Sequence, residues 1–161
     1  MSCDLKSCER PGPHYQGDAF DLLDGDWDLV IAHPPCTSVC LSGNQWYAGT
    51  PEREAGVRFV EQVWQAVKGP LCIENPLGVL TTMSDLLPKP QWIQPYEFGH
   101  GEKKKTGLWL RGLPPLIPTS KKEDFEEIKE SCQMAGESKA RAANRARTFP
   151  GIAKAMAEQW G

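Results

Sequence analysis

The sequence of 161 residues has no apolar run near the roughly 20 residues that a membrane-spanning helix needs, so no such helix is expected. It also lacks a dominant charge. Its 18 Lys and Arg stand against 21 Asp and Glu, a formal net charge of −3, so basic residues can matter only through their placement. Histidine is scarce, with three residues beside six cysteines. Cys36 and Cys40 have no second cysteine or histidine pair at zinc-ligand spacing, which argues against a metal centre. The irregular cysteine spacing and the absence of an apolar leader do not match a secreted disulfide framework. Reduced thiols and a cytoplasmic location are expected instead. No internal repeat and no break in composition marks a boundary, so 1–161 reads as one domain around a single core.

Proline and glycine are plentiful, with 14 and 15 residues, which implies extensive loops. The tryptophans, six in number, argue against disorder. Met1 to Gln16, with Pro11-Gly12-Pro13, reads as an irregular arm. Gly17 to Leu23 suits a short helical turn that Gly25 ends. Leu29-Val30-Ile31-Ala32 is a continuous apolar run of the kind found in strands buried on both faces. Glu52 to Lys68 is the clearest helix, with Val60, Val63, Trp64 and Val67 on one face. Gly69-Pro70 ends it, and Leu71 to Glu74 begins a second strand, so the stretch reads as a βαβ unit. Leu77 to Leu87 suits a short helix, Trp92 to Phe98 and Thr106 to Leu110 suit strands, and Lys121 to Lys129 a charged surface helix. The last helix is expected from Pro150, a favoured first-turn residue, to Gln159.

Two strand ends carry the chemistry. Pro34 and Pro35 stop the first strand and stiffen the backbone beyond it, which holds Cys36 at the carboxyl edge, where open α/β sheets place ligands. The second strand ends in Glu74-Asn75-Pro76. A cysteine and a glutamate at adjacent strand ends suggest a nucleophile with an acid/base partner, facing one cavity. Cys36 is expected to be the most reactive of the cysteines, with a nearby helix amino terminus favouring its thiolate.

The motifs His33-Pro34-Pro35-Cys36-Thr37, Glu74-Asn75-Pro76, Gln94 to Gly99, Lys105 to Leu110 and Arg147 to Trp160, in this order, resemble the cytosine-5 DNA methyltransferases. They are closest to a group of short phage and prophage members. The resemblance implies a Rossmann-like α/β fold of the methyltransferase type, with a mostly parallel sheet flanked by helices. It also implies that Cys36 adds to carbon 6 of cytosine while Glu74 gives a proton to ring nitrogen 3. Pro35, Asn75, Lys103, Lys105 and Arg147 would contact the substrate, with Lys103 to Lys105 in a stretch where the larger family uses arginine. Asp4, Asp18 and Pro34 would contact S-adenosylmethionine, Asp4 through the ribose hydroxyls. The family's first strand and its glycine-containing turn have no counterpart, nor does its large recognition domain, so the chain reads as amino-terminally shortened. Weak or absent cofactor binding is therefore expected.

DNA is the partner so implied, met mainly through phosphates by Lys103 to Lys105 and by Arg141, Arg145 and Arg147. Trp46 and Tyr47, in the loop after Cys36, are placed to stack a base. A base inside a duplex must be flipped out to meet a thiol. Two alternatives stay open. One is an enzyme acting on a free pyrimidine nucleotide. The other is a degenerate module that binds nucleic acid, a partner protein or a second copy of itself. Bland roles remain for several residues: Cys36 as a structural thiol, His33 as a filler of the strand end, His100 exposed between glycines, and the lysine run as a solvated turn.

Overall fold

The computed structural model describes residues 1–8, 11–130 and 147–161; Arg141 and Arg145 lie outside them. The chain is α/β. Strands β1 (Ser2–Asp4) and β2 (His14–Gln16) form a parallel pair. The main sheet holds β3 (Val30–Ala32), β4 (Leu71–Pro76), β7 (Thr106–Arg111) and β5 (Gln91–Ile93), in the spatial order β3-β4-β7-β5. Pairing is parallel between β3 and β4 and antiparallel between β4 and β7 and between β7 and β5. A third, short parallel pair joins β6 (Glu102–Lys103) to β8 (Lys129–Glu130). Parallel pairing thus covers the βαβ unit and the two small pairs, while the longest ladder, β4 with β7, is antiparallel.

The helices are α1 (Asn44–Tyr47), α2 (Pro51–Ala66), α3 (Leu80–Met83) and α4 (Pro150–Trp160). Helix α2 starts where a cap and a proline coincide: the Thr50 side chain accepts the Arg53 amide, and Pro51 occupies the first turn. At its other end, Arg111 donates to the carbonyls of Trp64, Val67 and Gly69 and lies over the Trp64 ring. The carbonyls that a helix end leaves unpaired are thereby satisfied from β7.

Side-chain alternation along β4 and β7 splits the core into two layers. Leu71, Ile73 and Trp109 pack with Val57, Val60 and Val63 of α2. Cys72 and Leu108 pack with Ile152, Ala155 and Met156 of α4. The two long helices therefore cover opposite faces of the sheet. Burial of the apolar face of α2 follows the expected periodicity, and α4 begins at the expected proline.

Four local expectations change. The arm from Met1 to Gln16 contributes β1 and β2, with Pro11-Gly12-Pro13 in the connection between them. Strand β3 ends the sheet order, so Ile31 is 38% exposed and the run is not buried on both faces. The segment from Trp92 to Phe98 is a strand only to Ile93. Pro95 cannot donate to a ladder and starts a 3-10 turn, Pro95–Phe98, closed by reciprocal Gln94 and Glu97 capping. Lys121 to Lys129 forms one 3-10 turn, Lys122–Asp124, and its last residue opens β8; Phe125 and Ile128 are half-buried outside any helix. No helix among the described residues is long and apolar enough to cross a membrane.

Candidate active site

The register of β3 against β4 builds the site. Ala32 lies opposite Ile73, so the next residues, His33 and Glu74, are neighbours just past the end of the ladder. His33 precedes a proline and is confined to extended backbone, which continues the strand direction into Pro34. The His33 Nδ1 stands 3.2 Å from Glu74 Oε2. Glu74 and Asn75 point to opposite sides of the sheet. Asn75 is fully buried, and its Nδ2 donates to the Pro34 carbonyl at 3.0 Å. One bond thus ties the Pro-Pro loop to the second strand end. The Asn75 Oδ1 is buried with no partner among the described residues.

Beyond the prolines the chain makes a single turn: the amides of Val39 and Cys40 both donate to the Cys36 carbonyl. The turn is held from three directions. Arg53 of α2, 5% exposed, donates from Nε to the Ser38 carbonyl and from Nη1 to Asn44 Oδ1. Gly56 lets the helix approach closely, since a Cβ there would strike Ser38 and Val39. Gly78 does the same on the other side, where the loop after β4 bridges to Cys40 and Val79 N–H bonds the Val39 carbonyl. Cys36 itself packs against the α2-side cluster.

Burial pushes the Cys36 thiol above its ordinary value. Cys40 and Glu74 push it further, while Lys104 pulls it down. Glu74 and Lys104 therefore both lie within electrostatic reach of Cys36. The raised value runs against the expected thiolate: the half-buried sulfur is desolvated, which disfavours the anion. Cys72 is pushed up to about 12 by burial within the sheet and by Glu74.

The lysines separate by alternation. Lys103 is exposed and pairs with Glu130 at 3.7 Å. Lys105 is exposed and its Nζ lies 4.8 Å from the Trp92 ring centroid. Lys104 is half-buried and is the lysine that bears on Cys36; its Nζ lies 5.9 Å from the ring of Phe149, two residues after Arg147 in sequence. His100 is half-buried, not exposed, because its Nε2 accepts the Gly151 amide in the first turn of α4. Trp46 is 66% exposed on α1, and Tyr47 beside it is half-buried.

Of the residues expected at a cofactor, Asp4 and Asp18 come together: both bear on Cys3, whose thiol is raised by burial and then by Asp4, Asp18 and Asp21. Asp4 ends β1 and Asp18 follows β2, so both stand past the carboxyl ends of a parallel pair. Each holds a nearby amide, Lys6 and Phe20 respectively. Pro34 is buried with its carbonyl bound to Asn75, so it supports the loop and offers no contact surface. Exposed carboxylates suit the hydroxyls of a ribose, and Gly17, whose amide donates to the Asp4 carbonyl, stands between the two strand ends; the fit to S-adenosylmethionine covers the ribose end alone.

Sequence reasoning assigned no site role to His33 or Arg53, and did not single out Lys104 from its two neighbours. A signal existed for the first: the register that brings Glu74 to the end of its strand brings its neighbour there as well. No protein-family model matches this chain, and a comparison with curated proteins finds no similar sequence.

Proposed function

We propose that this chain is a cytosine-5 methyltransferase-type domain with a Rossmann-like fold, acting on cytosine in DNA inside a bacterial host cell. Cys36 is its nucleophile and Glu74 its acid partner. The observation that carries the reading is the Cys36 thiol within electrostatic reach of both Glu74 and Lys104 at the carboxyl edge of β3 and β4. The βαβ unit with α2 and α4 on opposite faces supports the fold.

The chemistry proceeds by addition and elimination. Cys36 Sγ bonds to carbon 6 as the thiol proton leaves to solvent. The displaced ring electrons are accommodated as Glu74 gives its proton to ring nitrogen 3. Lys104 stabilises charge that develops at the adjacent carbonyl. Carbon 5, now nucleophilic, takes up a solvent proton or an electrophile and loses its original hydrogen. Return of the nitrogen proton to Glu74 and expulsion of Cys36 restore the ring. S-adenosylmethionine supplies a methyl electrophile when bound, and Asp4 with Asp18 would hold its ribose. Trp46, exposed on α1, offers a stacking face for the displaced base or its neighbour.

The test needs no cofactor. Oligonucleotides carrying [5-³H]cytosine, single-stranded and duplex, are incubated with the protein, and tritium released to water is counted. Release that Cys36→Ser abolishes is expected. Release from [5-³H]deoxycytidine monophosphate alone moves the assignment to a free nucleotide. A second reading, a non-catalytic binding module, draws on the raised Cys36 thiol. Absence of release from every substrate, with DNA still bound, selects it.

A further inference from the structure

Glu74 cannot act as a proton donor in one defined direction unless something fixes its carboxyl group. Its side chain is 15% exposed, whereas that of His33 is 41% exposed. The imidazole is therefore the more exposed partner of the pair. The 3.2 Å contact uses one oxygen of Glu74, Oε2. We propose that His33 is the positioning residue of this site: its Nδ1–H holds Oε2 and turns Oε1 toward the pyrimidine. The inference rests on the reading of Cys36 and Glu74 given above, and extends it to a residue outside the nucleophile and acid pair.

The geometry is built into the chain. His33 is the register neighbour of Glu74, and the prolines after it remove the freedom of its backbone. The turn of Cys36 and the Lys104 segment supply the other charged and titratable groups around the thiol.

The consequence for the reaction is a differential one. When Oε1–H passes its proton to ring nitrogen 3, Glu74 becomes a carboxylate. A hydrogen bond from Nδ1–H to Oε2 is then charge-assisted and stronger than it was to the neutral acid. His33 thus stabilises the state that follows proton transfer more than the state before it, so its removal slows turnover rather than weakening substrate binding.

The test uses tritium release with the full chain. His33→Ala is expected to lower the rate at saturating oligonucleotide by about ten- to a hundred-fold, the range for losing one hydrogen bond to a charged group. The half-saturating concentration should stay nearly unchanged. His33→Asn, whose amide nitrogen can occupy the Nδ1 position, should recover most of the rate. In a Glu74→Gln background, His33→Ala should add little further loss. Circular dichroism of each variant separates these effects from failure to fold. An unchanged rate in a folded His33→Ala variant, or an equal loss with and without Glu74, overturns the inference alone. No release from the unaltered protein overturns the reading of the site, and this inference with it.

Discussion

The Arg53 guanidinium on α2 donates to the Ser38 carbonyl at 2.8 Å, so the turn that carries Cys36 is fastened to that helix. The same side chain reaches Asn44 at 2.7 Å, beyond the turn. Arg53→Met keeps the apolar stem and removes both bonds. It is expected to cost about 3 kcal/mol, because two acceptors lose a charged donor, and to speed alkylation of Cys36 by loosening its turn. Arg53→Lys should recover little, since a single ammonium cannot reproduce the fork. Urea unfolding and timed iodoacetamide labelling measure the two effects; unchanged labelling in Arg53→Met would sink the idea of an anchor.

Asn75 fixes the same loop from below. Asn75→Ala strips the donor from the buried Pro34 carbonyl, at about 1–3 kcal/mol. Asn75→Asp should be worse, because it places a carboxylate oxygen against that carbonyl in a fully buried position. Thermal unfolding of the two variants gives the order, and an Asn75→Asp protein as stable as the parent would contradict it.

The Cys36 thiol responds in opposite senses to its two charged neighbours. Glu74 raises it and Lys104 lowers it. Glu74→Gln should therefore increase, and Lys104→Met decrease, the alkylation rate of Cys36 at mildly alkaline pH, where the thiolate fraction limits reaction. Mass-spectrometric labelling across a pH series reads both, and the reverse order would refute the electrostatic assignment.

Alkaline pH should unfold the protein by way of Cys72. The folded-state value is about 12, raised from an ordinary 9.0. The native state therefore keeps a proton that the unfolded chain has given up. Stability is fully present below about pH 9 and falls as pH rises toward 12, by up to about 1.4 kcal/mol per pH unit. Cys72→Val, similar in volume and unable to ionise, should flatten that slope in denaturant melts between about pH 9 and 11. A slope unaltered by the substitution would assign the effect elsewhere.

The sequence revealed most where periodicity and punctuation agree. The valine face of α2 and the Pro150 start need only local rules, and the structure follows them; α2 itself stops at Ala66, ahead of the Gly69-Pro70 break. It revealed less where neighbours in space decide. Ile31 reads as a core residue until the strand order puts β3 at an edge. The proline at 95 outweighs the aromatic residues around it and cuts a strand short. At the site, Cys36 and Glu74 could be named from their strand ends, but the thiolate could not be judged: burial depends on the turn that α2 grips. Lys103 to Lys105 look equivalent in sequence; only Lys104 bears on the thiol, while its neighbours pair with Glu130 and Trp92.

The alternation of Glu74 and Asn75 across β4 sets a rule for insertions and deletions. Loss of one residue from Leu71, Cys72 or Ile73 would slide Asn75 under His33 and bring Pro76 beneath the Pro34 carbonyl, which it cannot serve because it has no donor. One extra residue would move Glu74 into the buried position and leave Ile73 facing His33. The positions flanking the site at Lys103 and Lys105 carry no such constraint, because their partners are on the surface. Length variation in this protein should therefore gather in the loops and spare β4, where the count of residues, more than their identity, keeps the acid and the loop anchor on their proper sides.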